Sequence, residues 1–379
     1  MSLRHQPMPE DDFGPLLPGP AFGGIVQVTR VMFHLGCFTD TRICSRCKKI
    51  CKFEVSMKTR RLKDGTEKEY VDITLRCTVR TCRRYIPIVT NTIWTKIKDR
   101  VLFVFVVDAF LNRSTTVSVV NHTGCKSKTV EKYLKIIKNA LFLQNEEEKD
   151  DMKLGGEGQT VQGDETHVFT RKYNVGRLLQ TPIHGWVFGF VEDKPNGRLF
   201  MVMVKHRTRA VLQPIIRAHV HAGTTIFTDC WSAYNGLDVL EGFNHYRVNH
   251  SEHFVQRQPV QLTPAQQRRA IQVAVDEFEA AGDDAFEDEG DFEEEMIDVH
   301  TQKIERAWRE VKRGLGIQHL NVLRRNLGVE MFRYNHLNNT IPFNERRKIV
   351  IRMVAKHQNK VDALLRKQYP VYDDEEEEE

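Results

Sequence analysis

Three acids stand out by type and spacing. Asp164 lies in the stretch Val-Gln-Gly-Asp-Glu-Thr-His-Val-Phe-Thr, residues 161–170. Asp229 closes an apolar run that starts at Thr224, and Glu305 lies in a helical pattern from His300 to Lys312. An acid on one strand, an acid at the end of another and an acid on a later helix can hold divalent cations together. Hard carboxylate oxygens suit Mg²⁺ or Mn²⁺. Two such ions about 3.5–4 Å apart stabilise the attacking and leaving oxygens of an in-line phosphoryl transfer. Taken singly, each acid has a plainer use. Asp229 could cap a helix starting at Ser232. Glu305 could pair with Arg309 at i,i+4 on a surface helix. Glu165 follows Asp164 and, by strand alternation, should point to the other face. It is given a structural role.

The elements that must position these acids follow from periodicity. Strands are expected at 161–170, 186–192, 199–204, 224–228 and 246–248. The second and third are joined by the turn signal Lys194-Pro195-Asn196-Gly197. Helices are expected at 206–222, 232–240 and 301–314. Three strands, helix, strand, helix, strand and a later helix is the order of a ribonuclease-H-like α/β fold. That is a mixed sheet with helices on its faces. Residues 160–337 are therefore the expected catalytic domain. Residues 256–298 interrupt it, with a helix expected at 264–275. Residues 276–298 hold 13 Asp and Glu with no Lys or Arg, and disorder is expected over 278–296. A C-terminal helix at 344–366 and an acidic tail complete the region 338–379.

Upstream, residues 1–24 are Pro- and Gly-rich and read as a disordered lead, followed by a short helix over 25–36. Six of eight cysteines lie between Cys37 and Cys82. Cys44-Ser-Arg-Cys47 is one knuckle, and Cys77 and Cys82 form a looser second pair. Asp64-Gly65 between them signals a hairpin. Four thiolates from two knuckles can hold one tetrahedral Zn²⁺ as in a zinc ribbon, here over residues 25–90. Cys37 and Cys51 lie near enough to be rival ligands, and the plainer alternative is a set of buried free cysteines. Residues 91–145 read as helices at 101–111, 115–122 and 128–143, with Gly124 in the last turn and Ser127 as N-cap. Helix, Gly-containing turn and basic helix is a helix-turn-helix-like pattern for DNA, and it is equally the pattern of an ordinary solvated helical hairpin. Lys126, Lys128, Lys132 and Lys135 would face the DNA, and Val130, Leu134, Ile137 and Leu141 would face inward. Asn145–Gln159 reads as a linker.

The net charge of the 379 residues is +5. Without the two acidic runs, 276–298 and 373–379, the remainder is strongly basic, which points to a polyanionic partner. No apolar run approaches the length of a membrane span, and no signal peptide is expected. A reducing interior then favours metal over disulfides at the cysteines.

Several of these stretches resemble blocks of Merlin-type DDE transposases and their bacterial insertion-sequence relatives. Gly163-Asp164-Glu165, with Lys172-Tyr173-Asn174 and Gly176-Arg177, is similar to the first catalytic block. Trp186-Val187-Phe188-Gly189 is similar to the next strand, and Thr228-Asp229-Cys230-Trp231-Ser232-Ala233-Tyr234 to the second block. Val248-Asn249-His250-Ser251 resembles the segment before the third. His300 to Glu305, with Trp308 and Lys312, resembles the third, Gln302 standing where Asn is usual. The cysteine pairs resemble the family's zinc ribbon. The resemblance covers residues 40–337 and maps the catalytic triad onto Asp164, Asp229 and Glu305. It implies cut-and-paste transposition of an element with terminal inverted repeats. It also implies Mg²⁺ or Mn²⁺ at the acids, Zn²⁺ at the thiols, double-stranded DNA as partner, a homo-oligomer on that DNA, and the nucleus. Two other functions stay open: a host DNA-binding protein derived from such an enzyme and without catalysis, and a ribonuclease-H-type nuclease without strand transfer.

Overall fold

The computed structural model describes residues 22–38, 43–49, 51–61, 65–87, 93–168, 186–237, 242–249, 255–260, 268–269, 272–273, 276, 296–315 and 320–366. They form two compact units, Met1–Gln144 with His336–Glu379, and Asn145–Asn335. The expected lead, the block residues Lys172-Tyr173-Asn174 and Gly176-Arg177, the helix at 264–275 and the acidic run lie wholly or mostly outside the described residues.

In the first unit, α1 (Phe22–His34) precedes a three-stranded sheet of β1 (Cys51–Arg61), β2 (Glu67–Cys77) and β3 (Tyr85–Pro87), in that order. The β1–β2 ladder is antiparallel and unbroken from Cys51↔Cys77 to Arg61↔Glu67. Three helices follow: α2 (Arg100–Leu111), α3 (Thr116–Thr123) and α4 (Ser127–Lys149). The turn between α3 and α4 needs Gly124, whose φ of 65 is left-handed and lets its N–H close on Val120 O. Ser127 is the first residue of α4 rather than its cap. The backbone at Lys126 starts the helix, and the Ser127 hydroxyl donates to Glu131 instead. The inward stripe of α4 is Val130, Tyr133, Ile136, Ile137, Ala140 and Leu141. Leu134, expected inside, is only half-buried, because Tyr133 and Ile136 take the inward positions.

The second unit is built on a five-stranded mixed sheet. Its strands are β4 (Thr160–His167), β5 (Trp186–Glu192), β6 (Leu199–Val204), β7 (Thr225–Asp229) and β8 (Asn244–Val248), in the order β6-β5-β4-β7-β8. β4–β5 and β5–β6 are antiparallel, whereas β4–β7 and β7–β8 are parallel. Helix α5 (Arg209–His219) covers one face, where His219 stacks on Phe200 at 3.9 Å. The other face carries α6 (Gln302–Gly314), which buries Ile304, Ala307, Trp308 and Val311. That i, i+3, i+4, i+7 spacing is one helical stripe.

Several expectations need correction here. The linker at Asn145–Gln159 is not one: α4 runs through Lys149, and Leu154, fully buried, bridges to Val220 and joins the sheet's core. Its apolar side chain and Met152 give that stretch something to bury. The helix at 206–222 is shorter, and only a 3-10 turn, Ser232–Tyr234, is described where 232–240 was expected helical. The ends of the 256–298 interruption are themselves ordered. Short strands β9 (Gln256–Pro259) and β10 (Met296–Val299) pair antiparallel, and Val299 packs with Phe227, Tyr246 and Val248. Helix α7 (Leu320–His336) was not expected, and the last helix is two, α8 (Phe343–Lys356) and α9 (Gln358–Arg366), broken at His357. Among the described residues, no helix is long and apolar enough to cross a membrane.

Candidate functional site

The parallel pairing of β4 and β7 ends at Gln162↔Phe227. Two residues further on lie Asp164 and Asp229. Beyond Gln162, β4 keeps its ladder with β5 as far as His167, so its β7 side is left open there. The acids sit at that opening, beyond the carboxyl end of the parallel pairing, where open α/β sheets leave a crevice.

Asp164 faces α6. Its partner across the β4–β5 ladder is Gly189. A Cβ on Gly189 would come within 2.6 Å of Phe200 O and 2.7 Å of the Trp308 ring. The missing side chain lets the indole lie against the sheet, and Trp308 Nε1 donates to Asp164 Oδ2 at 3.0 Å. That fixes one carboxylate oxygen and leaves the other for a ligand. Burial pushes the Asp164 carboxyl up to about 7, and the charges of Glu165 and Asp229 add to the rise. The Glu165 N–H and the Trp308 indole oppose it without cancelling it.

Glu165 points to the opposite face, as alternation requires. It accepts from the hydroxyl of fully buried Tyr234 at 2.6 Å. Burial raises its carboxyl too, the Tyr234 bond opposes this, Asp229 adds to it, and Arg207 draws it back down. Arg207 lies over the rings of Trp186 (3.7 Å) and Trp231 (4.7 Å), and Trp231 Nε1 donates to Arg207 O. Asp229 does part of the structural work that its position suggested. Its Oδ1 accepts from Trp231 N at 2.9 Å and turns the chain into the 3-10 turn. Its charge nevertheless reaches both Asp164 and Glu165.

Glu305 is on the exposed side of the first turn of α6, one turn before Trp308, and Thr301 Oγ1 lies 3.4 Å from its Oε1. The structure therefore couples Asp164 with Asp229 directly and brings the helix of Glu305 against Asp164 through Trp308. Among the described residues, the three carboxylates do not form a group whose ligand atoms all fall within 4.8 Å of one another. Carboxylate oxygens of this kind suit a hard divalent cation, and burial together with the charges of Glu165 and Asp229 holds the Asp164 carboxyl above its ordinary range.

The thiols are gathered more tightly. Cys44, Cys47, Cys77 and Cys82 place all four sulfurs within 4.8 Å of one another. Cys44 Sγ is 3.7 Å from Cys82 Sγ, and Cys47 Sγ is 3.3 Å from Cys77 Sγ. Zn–S bonds near 2.3 Å in a tetrahedron put sulfurs about 3.8 Å apart, so the cluster is compatible with structural zinc. Each knuckle is a tight turn, closed by Lys48 N to Cys44 O and by Cys82 N to Val79 O. The backbone N–H groups of Cys47 and Arg46 draw the Cys44 thiol down to about 6. Cys51 is buried beside the cluster but outside the group of four, and Cys37 is buried apart from it.

Lys126, just before α4, and Lys128 and Lys132 on it are exposed, and Lys135 is half-buried. Lys128, Lys132 and Lys135 line one open concavity with Lys96, Glu131 and Leu365. Lys132 Nζ donates to Lys96 O at 2.9 Å. Burial and the charges of Lys96 and Lys98 hold its ammonium below the usual lysine range.

Sequence reasoning passed over four contributors to the acid site: Gln162, Gly189, Arg207 and the role of Tyr234. Glycine within a strand pattern was the one available signal, since it marks a close approach.

Comparison with known proteins adds an independent line. Residues 143–271 match the family of ISXO2-like transposase domains, about a third of the chain. That span includes Asp164 and Asp229 and ends before Glu305. Over 59 residues the chain is 41% identical to an uncharacterised transposase-like protein of Haemophilus influenzae. That alignment covers 16% of this chain and 47% of the relative, so the chain spans about half of that protein's length. Both similarities support a transposase family of the DDE type.

Proposed function

We propose that this protein is a metal-dependent DNA transposase of the Merlin type, with a ribonuclease-H-like catalytic domain and a zinc ribbon before it. The observation that carries the reading is the placement of Asp164 and Asp229 at the open end of adjacent parallel strands. Gly189 lets the helix of Glu305 dock on the same face. The strand order β6-β5-β4-β7-β8, antiparallel on one side of β4 and parallel on the other, supports the ribonuclease-H-like assignment. The family match over both aspartates supports the DDE chemistry.

Asp164, Asp229 and Glu305 would hold Mg²⁺ or Mn²⁺. When bound, the cations supply Lewis-acid stabilisation of the attacking and leaving oxygens. Trp308 holds Asp164 by Oδ2 and leaves Oδ1 for that task. The reaction has two steps at one site. Water attacks a phosphodiester at an element end, a P–O bond breaks, and a 3′-hydroxyl is left. That hydroxyl then attacks a phosphodiester of target DNA: a new P–O bond joins the element end to the target 5′ side, the P–O bond to the target's own 3′-oxygen breaks, and that oxygen leaves as a 3′-hydroxyl. Cys44, Cys47, Cys77 and Cys82 hold Zn²⁺. Lys126, Lys128, Lys132 and Lys135 contact the phosphates of double-stranded DNA, with no base readout assigned to them. The protein works in the nucleus as a homo-oligomer on DNA.

The test is a joining assay. Purified protein, Mn²⁺, a labelled duplex bearing the inverted repeats that flank the coding gene, and a plasmid target are incubated together. Labelled 3′ ends covalently joined to the plasmid are expected. Tight binding of the repeats with neither cutting nor joining would overturn catalysis and leave a DNA-binding protein. Cutting without joining would leave a nuclease.

A further inference from the structure

Gln162 is fully buried on β4, two residues before Asp164 and on the same strand face. Its Oε1 accepts from the backbone N–H of Lys303 at 2.9 Å and of Ile304 at 3.1 Å. Those are orphan donors in the first turn of α6, the helix of Glu305 and Trp308. Thr301, at the cap position, makes no side-chain capping bond. The other end of the amide is equally used. Gln162 Nε2 donates to Asp193 Oδ2 at 3.0 Å and to His300 Nδ1 at 3.0 Å. Asp193 lies in the turn between β5 and β6. It also faces His300 Nε2 at 3.6 Å and Lys303 Nζ at 3.8 Å. One amide thus ties the central strand, the β5–β6 turn, the residue before the cap and the helix N-terminus together.

We infer that Gln162 is the positioning residue of the acid site: it caps α6 from β4 and so sets Glu305 and Trp308 against Asp164. This rests on the proposed metal-dependent DNA cleavage. Its structural half stands apart from that reading. The chemistry demands an amide at this position. The helix N-terminus needs an acceptor, Asp193 needs a donor, and a buried side chain must offer both. Hydrophobic burial alone would have been met by an apolar residue of the same length. The register of α6 also matters more than its presence, since a misplacement of about 1 Å can cost about a hundredfold in rate.

The test compares full-length wild type, Gln162→Met, Gln162→Glu, and Gln162→Glu combined with Asp193→Asn. Methionine keeps length and apolar bulk and removes both hydrogen-bonding ends. The double variant exchanges acid and amide, so the carboxylate caps α6 and the asparagine donates to it. Three quantities are read: amide exchange at Lys303 and Ile304, Mn²⁺ affinity by calorimetry, and cleavage of labelled repeat ends. Gln162→Met should speed exchange at those two amides about tenfold or more, with β4 and β5 protection kept. Mn²⁺ should bind at least about tenfold more weakly, and cleavage should slow by about tenfold or more at unchanged DNA affinity. The double variant should recover most of each loss, and Gln162→Glu alone should not. Unchanged exchange and Mn²⁺ affinity in Gln162→Met would overturn the proposal. So would equal losses in the single and double glutamate variants. If Gln162→Met does not fold, the two glutamate variants decide. If wild type never cuts DNA, the functional reading fails, while exchange and Mn²⁺ affinity still decide the role of Gln162.

Discussion

The thiol cluster and the acid site gather their donors in different ways. Cys77 ends β2 and pairs across the ladder with Cys51, and each knuckle is closed by its own backbone. The thiols are local to one hairpin, and all four sulfurs fall within 4.8 Å of one another. The acids come from three distant segments. Asp164 and Asp229 meet through parallel strand register, whereas Glu305 depends on how α6 docks. The closed thiol cluster is held by backbone turns, whereas the open acid site leans on neighbouring side chains such as Gln162 and Trp308.

The contrast is sharpest where it can be broken. Cys44→Ser, or chelation, should release one equivalent of zinc and strip exchange protection from β1 and β2. Metal binding to small zinc domains is worth about 10–16 kcal/mol. The sheet of β4 to β8 should keep its protection. Loss of protection there as well would show that the two sites are not separately held.

The acid site should answer to pH instead. The Asp164 carboxyl is raised to about 7, so the folded chain retains a proton that the unfolded chain has released. The stabilising contribution is complete below the ordinary carboxylate range and is lost as pH rises through 7. Its upper bound is about 4 kcal/mol, less with solvent screening. Cation-free protein should therefore be less stable at pH 8 than at pH 5.5 in urea titrations. Asp164→Asn should flatten that slope, and saturating Mn²⁺ should remove it in wild type only.

Smaller effects probe the supports. Gly189→Ala should cost about 1–3 kcal/mol through overpacking against Phe200 O and the Trp308 ring. It should also weaken Mn²⁺ binding, which a cost in stability alone would not do. Trp308→Phe keeps most of the packing and removes one hydrogen bond, for about 1 kcal/mol. It should move the Asp164 titration further upward, because the indole N–H favours the carboxylate. A carbon-13 carboxyl titration would show the shift or its absence.

The legible parts of this chain were those with local chemistry. Strands β5 and β6 match expectation residue for residue, because a turn signal separates two dense apolar runs. The clustering of the four thiols could be read from knuckle spacing, and helix α6 from its period. Long-range supports were not legible. Gln162 reads as an ordinary polar strand residue until Lys303 and Ile304 arrive from far along the chain. Strands β9 and β10 are four residues each and flank charged sequence, so neither shows a period. Helix α7 has little amphipathic contrast, since buried Asn326, Glu330 and Arg333 interrupt its apolar positions.

The most direct measurement is single-turnover, Mn²⁺-dependent cleavage of labelled repeat ends by wild type and by Asp164→Asn, Asp229→Asn, Glu305→Gln and Glu165→Gln. If the three acids hold the working cations, the first three variants should each lose about 10⁴-fold in rate with DNA affinity unchanged. Glu165→Gln, on the opposite face with Tyr234, should lose far less. Wild-type rates from Asp164→Asn, or a Glu305→Gln protein no worse than Glu165→Gln, would contradict the account.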